Sequence, residues 1–234
     1  MIDSGSIIEA ILFDYDGAVV HSGPLVFEYQ DMVCRKRGFR PPFSSYSEWR
    51  DQVFDPFPDW YDHMGFNWET EKDWLQKEFK EFFNHVNIPF QEGITECWEG
   101  LKARGFKIAI ASSNLEELIH KKLCQEGMRG LIDAIAGFGN GCRAKPYPDV
   151  LVKIAGDLKV PSGSGLYVGD MPCDKEAACA VGMPFVPVPW GYKDLAFWQK
   201  NHDGFIPKNC AELQEYIFQI ARISKPAPIV SPTG

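Results

Sequence analysis

The sequence predicts an α/β fold: an open parallel sheet with helices on both faces, interrupted near its start by an inserted α-helical unit. Three observations predict it. From Gly93 onward, short apolar runs alternate with helix-patterned segments through short connections, the arrangement of repeated strand–helix–strand crossovers. Runs such as FKIAIA are apolar almost throughout, as strands covered on both faces are. The stretch from Ser22 to Phe90 is dense in aromatics and has no strand pattern, yet it lies between the first strand-like run and all the others.

Taken in order, AILF before Asp14 is the first strand. Within the aromatic stretch, EKDWLQKEFKEFFNHV repeats its apolar positions at helical spacing, at Trp74, Leu75, Phe79, Phe82 and Val86. ITECWEGLKARG places Ile94, Cys97, Trp98 and Leu101 on one helical face, and Gly105 closes it. FKIAIA is the next strand; Asn114 with Glu117 three residues later reads as an N-cap, and Leu115, Leu118, Ile119 and Leu123 continue that helix. IDAIAG is a strand, and Pro148 to Leu158 a helix with proline in its first turn. LYVGD ends a further strand, DKEAACAVG is a short helix, and PFVPVP is an edge strand weakened by its prolines. A strand-like GFI and the helix AELQEYIFQIAR finish the fold, and the Pro/Ser-rich tail is expected to be disordered. The expected division is 1–21 with 91–223 as the sheet unit, 22–90 as the helical unit and 224–234 as tail.

Composition narrows the function classes. The formal net charge of −8 argues against a nucleic-acid backbone or an anionic membrane as the main partner. The seven cysteines form no CxxC pair and no zinc spacing, so free thiols in a reducing compartment are expected. No run approaches the ~20 apolar residues of a membrane span, and the N-terminus lacks a basic leader, so a cytoplasmic protein is expected.

The positions of the polar residues carry the functional reading. Asp14 and Asp16 follow AILF, Ser112 and Ser113 follow IAIA, Lys145 comes shortly after DAIAG, and Asp170 and Asp174 follow LYVG. In an open parallel sheet the carboxyl ends of the strands share one edge, where ligands bind, so these clusters should converge. Several carboxylates a few ångströms apart cannot all ionise without a cation between them. A hard dication bound by oxygen, Mg²⁺ above all, meets that need and leaves positions for a phosphate. Acids, a metal, a lysine and hydroxyls together suit phosphoryl transfer. Taken alone, Asp14-Tyr-Asp16-Gly17 would also suit a solvated turn, and Asp174 a helix cap. GFGNGC, 137–142, has its glycines misplaced for a nucleotide loop and is expected to be a plain loop.

On these residues the chain resembles the haloacid dehalogenase superfamily. FDYDGAVVHS is similar to the first motif of that family, GFKIAIASSN to the second, AKPYPDV to the third and YVGDMPCDKEAACAVGM to the fourth. The helical insertion stands where one subgroup carries its cap, and VPVPWGY and HDGFIPKNCAEL resemble phosphoglycolate-phosphatase-like members. The resemblance implies a Rossmann-like core with a helical cap and a Mg²⁺-dependent phosphatase acting on a small phosphorylated metabolite, phosphoglycolate-like or a sugar phosphate. It implies Asp14 as nucleophile, Asp16 as acid and base, and Ser112 as phosphoryl ligand, with Ser113 competing for that role. Lys145 would neutralise charge. Asp170 would complete the metal site with Asp14 and the Asp16 backbone carbonyl, with Asp174 and Gly17 in support.

Two departures stand out: Ala18 replaces the usual threonine, and His21 replaces a common aspartate at the entry to the cap, which makes it a candidate substrate contact. Trp49 and Tyr61 are candidates to face the substrate from the cap, and Cys173 is expected to be a packed residue. A phosphomutase would share every core residue; a phosphonate-cleaving relative would need a cap lysine such as Lys36; a catalytically weak binding module is the reading Ala18 prompts.

Overall fold

The computed structural model describes residues 7–139 and 141–224. Its five strands are β1 (Ala10–Phe13), β2 (Lys107–Leu115), β3 (Ala134–Phe138), β4 (Gly165–Gly169) and β5 (Phe185–Pro187). They form one sheet in the order β3-β2-β1-β4-β5, and every pairing is parallel. The chain builds outward from β1 to β2 and β3, then returns to the other side of β1 for β4 and β5. The reversal of direction falls between β1 and β4, the place where an open parallel sheet leaves a crevice at its carboxyl edge.

Four helices occupy the long connection after β1: α1 (Gly23–Lys36), α2 (Tyr46–Gln52), α3 (Phe57–His63) and α4 (Trp68–His85). They are followed by α5 (Ile94–Ala103), and α6 (Glu116–Gln125) leads from β2 to β3. The second half carries α7 (Asp149–Leu158), α8 (Pro172–Ala180), α9 (Leu195–Asn201) and α10 (Cys210–Ser224). No helix among the described residues is long and apolar enough to cross a membrane.

The two faces of the sheet differ in side-chain size, and alternation along the strands explains why. Successive residues point to opposite faces. Ile11 and Phe13 of β1, Ile108 and Ile110 of β2 and Val168 of β4 join Trp98, Leu101, Leu213 and Ile217 in one core, which continues into the aromatic helices. Ala10, Leu12, Ala109, Ala111 and Tyr167 face the other way, where α7 contributes Val150, Leu151 and Ile154. Alanines on that face let α7 approach closely, and each large side chain buried there is worth about 1.5–3 kcal/mol.

Two local expectations are corrected. Asn114 caps no helix: β2 continues through it to Leu115, with a register shift after Ala111, and α6 begins at Glu116. GFI is not a strand. β5, the edge it would join, is three residues long and flanked by Pro184 and Pro189, so it offers little ladder to extend. The unforeseen element there is α9, whose first turn is capped by the Asp194 carboxylate accepting from Phe197 N (2.9 Å). Of GFGNGC, expected to be a loop, Gly137 and Phe138 end β3, and Gly139 is bridged to Cys142. Of the tail, Ser224 ends α10 and the rest lies outside the described residues.

Candidate active site

Asp14 follows the last residue of β1 and Asp170 the last residue of β4, so the pairing of these two strands sets the carboxylates side by side. The backbone holds that register one residue further, where Asp14 N donates to Val168 O (2.8 Å). Beyond Asp14 the chain turns back at once: Val19 N and Val20 N both donate to Tyr15 O (3.0 Å), and Gly17 N donates to Val20 O (2.9 Å). Gly17 has φ +86°, open to glycine at no steric cost, and a Cβ there would overlap the Asp170 carboxylate. Gly191 lies equally close to Asp170, and Tyr192 N donates to Asp170 Oδ2 (2.6 Å). Two glycines and one amide therefore clamp this carboxylate.

Lys145 enters from the loop between β3 and α7. The Arg143 guanidinium grips Asp149 through Nε and Nη2, both at 2.9 Å, and closes that loop at its base. The buried Lys145 ammonium contacts Asp14 Oδ1 (2.7 Å), Asp174 Oδ1 (2.5 Å) and the Tyr167 hydroxyl (3.1 Å), which itself donates to Ala111 O (2.8 Å). Asp174 is doubly used, since its Oδ2 accepts from Asp170 N (3.0 Å) and Met171 N (2.9 Å) at the start of α8. It supports the lysine and caps the helix together.

Asp16 turns away from this cluster, and its Oδ2 accepts from the Asn114 side-chain amide (2.7 Å). Ser112 is buried, with its Oγ accepting from Asn114 N (3.1 Å), and Ser113 Oγ accepts from Lys145 N (3.4 Å). Asp14, Asp16, Ser112, Ser113 and Lys145 all line one cavity of about 160 Å³. His21 is not brought there. It is exposed, its backbone N–H donates to Pro89 O (2.9 Å), and it is absent from the cavity wall. Ala18 is buried in the core, and its carbonyl accepts from the Trp190 indole (3.1 Å).

Electrostatics set the demand for a cation. Burial pushes the Asp14 carboxyl up to about 8; Lys145 opposes the shift, and Asp174 and Asp16 add to it. Burial, then the neighbouring Asp14 and Asp174, push Asp170 well above the usual carboxylate range. Asp16 is also raised by burial, against the pull of Ser22 and Asn114. Burial alone would pull Lys145 down, but Asp14 and Asp174 carry it well above its ordinary value. Carboxylate oxygens of Asp14, Asp170 and Asp174 lie within 4.8 Å of one another. Asp174 has both oxygens engaged, whereas Asp170 Oδ1 is buried with no hydrogen-bond partner. An all-oxygen donor set, like charges in a buried site and an orphaned oxygen fit a hard dication.

Several residues of this site escaped the sequence reading. Asn114 was taken for a helix cap. Tyr167 lies within the strand run LYVG, and Gly191 and Tyr192 within VPVPWGY, a likeness that assigns them no place at the site. Asp55 comes from the helical insertion and meets the site through the Cys173 thiol, which donates to Asp55 Oδ2 (3.1 Å).

Comparison with known proteins adds to this geometry. The family model described as haloacid dehalogenase-like hydrolase matches residues 11–188. The chain is 33% identical over 132 residues to a phosphoglycolate phosphatase of Aquifex aeolicus (strain VF5), covering 53% of this chain and 62% of that one. It is 22% identical over 212 residues to the pyrophosphatase PpaX of Oceanobacillus iheyensis, covering 88% and 95%. Among solved structures, a haloacid dehalogenase-like family hydrolase from Streptococcus pneumoniae superposes with a TM-score of 0.75 at 16% identity, covering 90% and 98%. That likeness concerns the fold alone.

Proposed function

The chain belongs to the haloacid dehalogenase-like hydrolases, and from that premise we propose that it is a Mg²⁺-dependent phosphatase that hydrolyses a small phosphorylated metabolite through an aspartyl-phosphate on Asp14. The relatives' names, phosphoglycolate phosphatase and pyrophosphatase, support small phosphoryl compounds as the substrate class. The observation that carries the reading is the buried Asp14–Lys145 pair lining a cavity, with Asp170 beside Asp14 and one of its oxygens left unpartnered.

In this reading Asp14, as the carboxylate, attacks phosphorus, and its O–P bond forms as the bond to the leaving oxygen breaks. Asp16, whose hold on its proton burial strengthens, passes that proton to the oxygen; such a donor contributes about 10²–10⁴ in rate. As a carboxylate it then takes a proton from the water that attacks phosphorus, which returns Asp14 and frees phosphate. Lys145 fixes Asp14 in place and balances its charge, while Ser112 or Ser113 donates to a phosphoryl oxygen. Mg²⁺ held by Asp14, Asp170 and the Asp16 carbonyl would neutralise phosphoryl charge and keep Asp14 ionised. Residues 22–90 act as the cap over the transfer unit, 1–21 with 91–223, and exclude water from the cavity.

Phosphate release from p-nitrophenyl phosphate, with Mg²⁺ and with EDTA, tests this. The wild type should release phosphate only with the metal, and Asp14→Asn should abolish it. Equal rates for the two proteins would refute the reading, and isomerised sugar phosphate without free phosphate would replace it with a phosphomutase.

A further inference from the structure

The roof of the cavity has a chemistry of its own. It is built of aromatic side chains, among them Trp49, Phe54, Phe57, Trp60, Tyr61 and Trp68. Two of the donors these rings carry are already spent within the roof. Trp49 Nε1 and Trp60 Nε1 both donate to Gln30 Oε1, at 2.6 and 3.0 Å.

Among the described residues that line the cavity, Lys145 is the one cation, and it is held at the floor by Asp14 and Asp174. Lys193 stands outside the lining, its ammonium bonded to the Arg50 and Val53 carbonyls (3.1 and 3.2 Å). The charged group that the roof does present is Asp55, half-buried, whose Oδ2 accepts from the Cys173 thiol. Burial raises its carboxyl, while the Cys173 thiol and the charges of Lys145 and Lys193 pull the other way.

A substrate with a second anionic group would have to set it among aromatic rings and beside a carboxylate, with no second cation among the described lining residues to pair it. Both are unfavourable, because the faces of aromatic rings carry negative potential and a buried charge needs a partner. An ammonium group gains from both features: rings attract it through their quadrupoles, and Asp55 supplies the countercharge. Resting on the phosphatase reading above, we propose that the substrate is the phosphate monoester of a small ammonium-bearing alcohol, with its cationic end held by the aromatic roof and Asp55.

The test compares kcat/KM, with Mg²⁺, for choline phosphate, its uncharged carbon isostere 3,3-dimethylbutyl phosphate, and phosphoglycolate. Choline phosphate should exceed each of the other two by at least about tenfold. Asp55→Asn should lower the ratio of choline phosphate to isostere severalfold, leaving the part that the rings supply. That ratio is taken within one preparation, so a reduced folded fraction leaves it unchanged. Equal or better turnover of the isostere or of phosphoglycolate by the wild type overturns the proposal, and an unchanged ratio in Asp55→Asn overturns the role of Asp55. If p-nitrophenyl phosphate is hydrolysed while choline phosphate is not preferred, the inference fails and the phosphatase reading stands. If none of the four compounds yields phosphate, the phosphatase reading itself fails.

Discussion

Gly191→Ala should disable the metal site without touching a charged group. Gly191 does not have positive φ, so alanine carries no conformational penalty there, and the effect is purely steric. The added methyl would overlap the Asp170 carboxylate, which Gly17 also approaches closely and whose Oδ2 is held by Tyr192 N at 2.6 Å. Either Asp170 rotates out of the cluster or the 190–192 loop moves away and takes the Tyr192 amide with it. Overpacking of this kind costs about 1–3 kcal/mol of stability, or about 2–4 °C in Tm for each kcal/mol in a chain of this size. Loss of a fixed metal ligand orientation typically costs 10–100-fold in metal affinity, about 1.4–2.7 kcal/mol. Calorimetric titration with Mg²⁺ and a thermal melt measure both, and Gly156→Ala provides the control. Gly156 lies in α7 with nothing near its missing Cβ, so the same substitution there should stabilise by about 0.5–1 kcal/mol and leave activity unchanged. Wild-type Mg²⁺ affinity and turnover in Gly191→Ala would refute the argument that the clamp on Asp170 holds the metal site.

Asn114→Ala removes a hydrogen bond to the ionised form of Asp16, so the Asp16 carboxyl should move further up. Its limb of the pH–rate profile should shift to higher pH, with alkyl phosphates slowed more than p-nitrophenyl phosphate, whose leaving group needs little protonation; an unmoved profile would contradict this. At Asp149 the sign is reversed. Arg143 holds its carboxyl down at about 2 from an ordinary 3.8, so the unfolded chain binds the proton first as pH falls. The stabilisation is fully present above about pH 4 and is lost as pH falls through about 2. Asp149→Asn should therefore flatten the acid limb of stability between those values in a pH series of melts, and it should loosen the loop that carries Lys145, seen as a raised KM.

Much of this protein was legible in the residues themselves. Unbroken apolar runs such as IAIA and LYVG announced buried parallel strands, and a glycine or polar residue after each announced where they stop. Because parallel strands end on one edge, Asp14, Ser112, Lys145 and Asp170 could be gathered to one place before any coordinate was known. Sequence periodicity reports which side of an element is buried, and it did so for both halves of the sheet. It does not report what fills the space across an element, and there the tertiary structure decided. Asn114 followed a capping pattern in sequence, but the longer β2 made it the partner of Asp16. Gly191 and Asp55 carried no local signal, being 21 residues after and 115 residues before Asp170; one admits the carboxylate and the other puts an acid in the cavity. Local chemistry determined the strands and the reacting groups, while contacts between distant segments determined how those groups are clamped and what the cavity above them will accept.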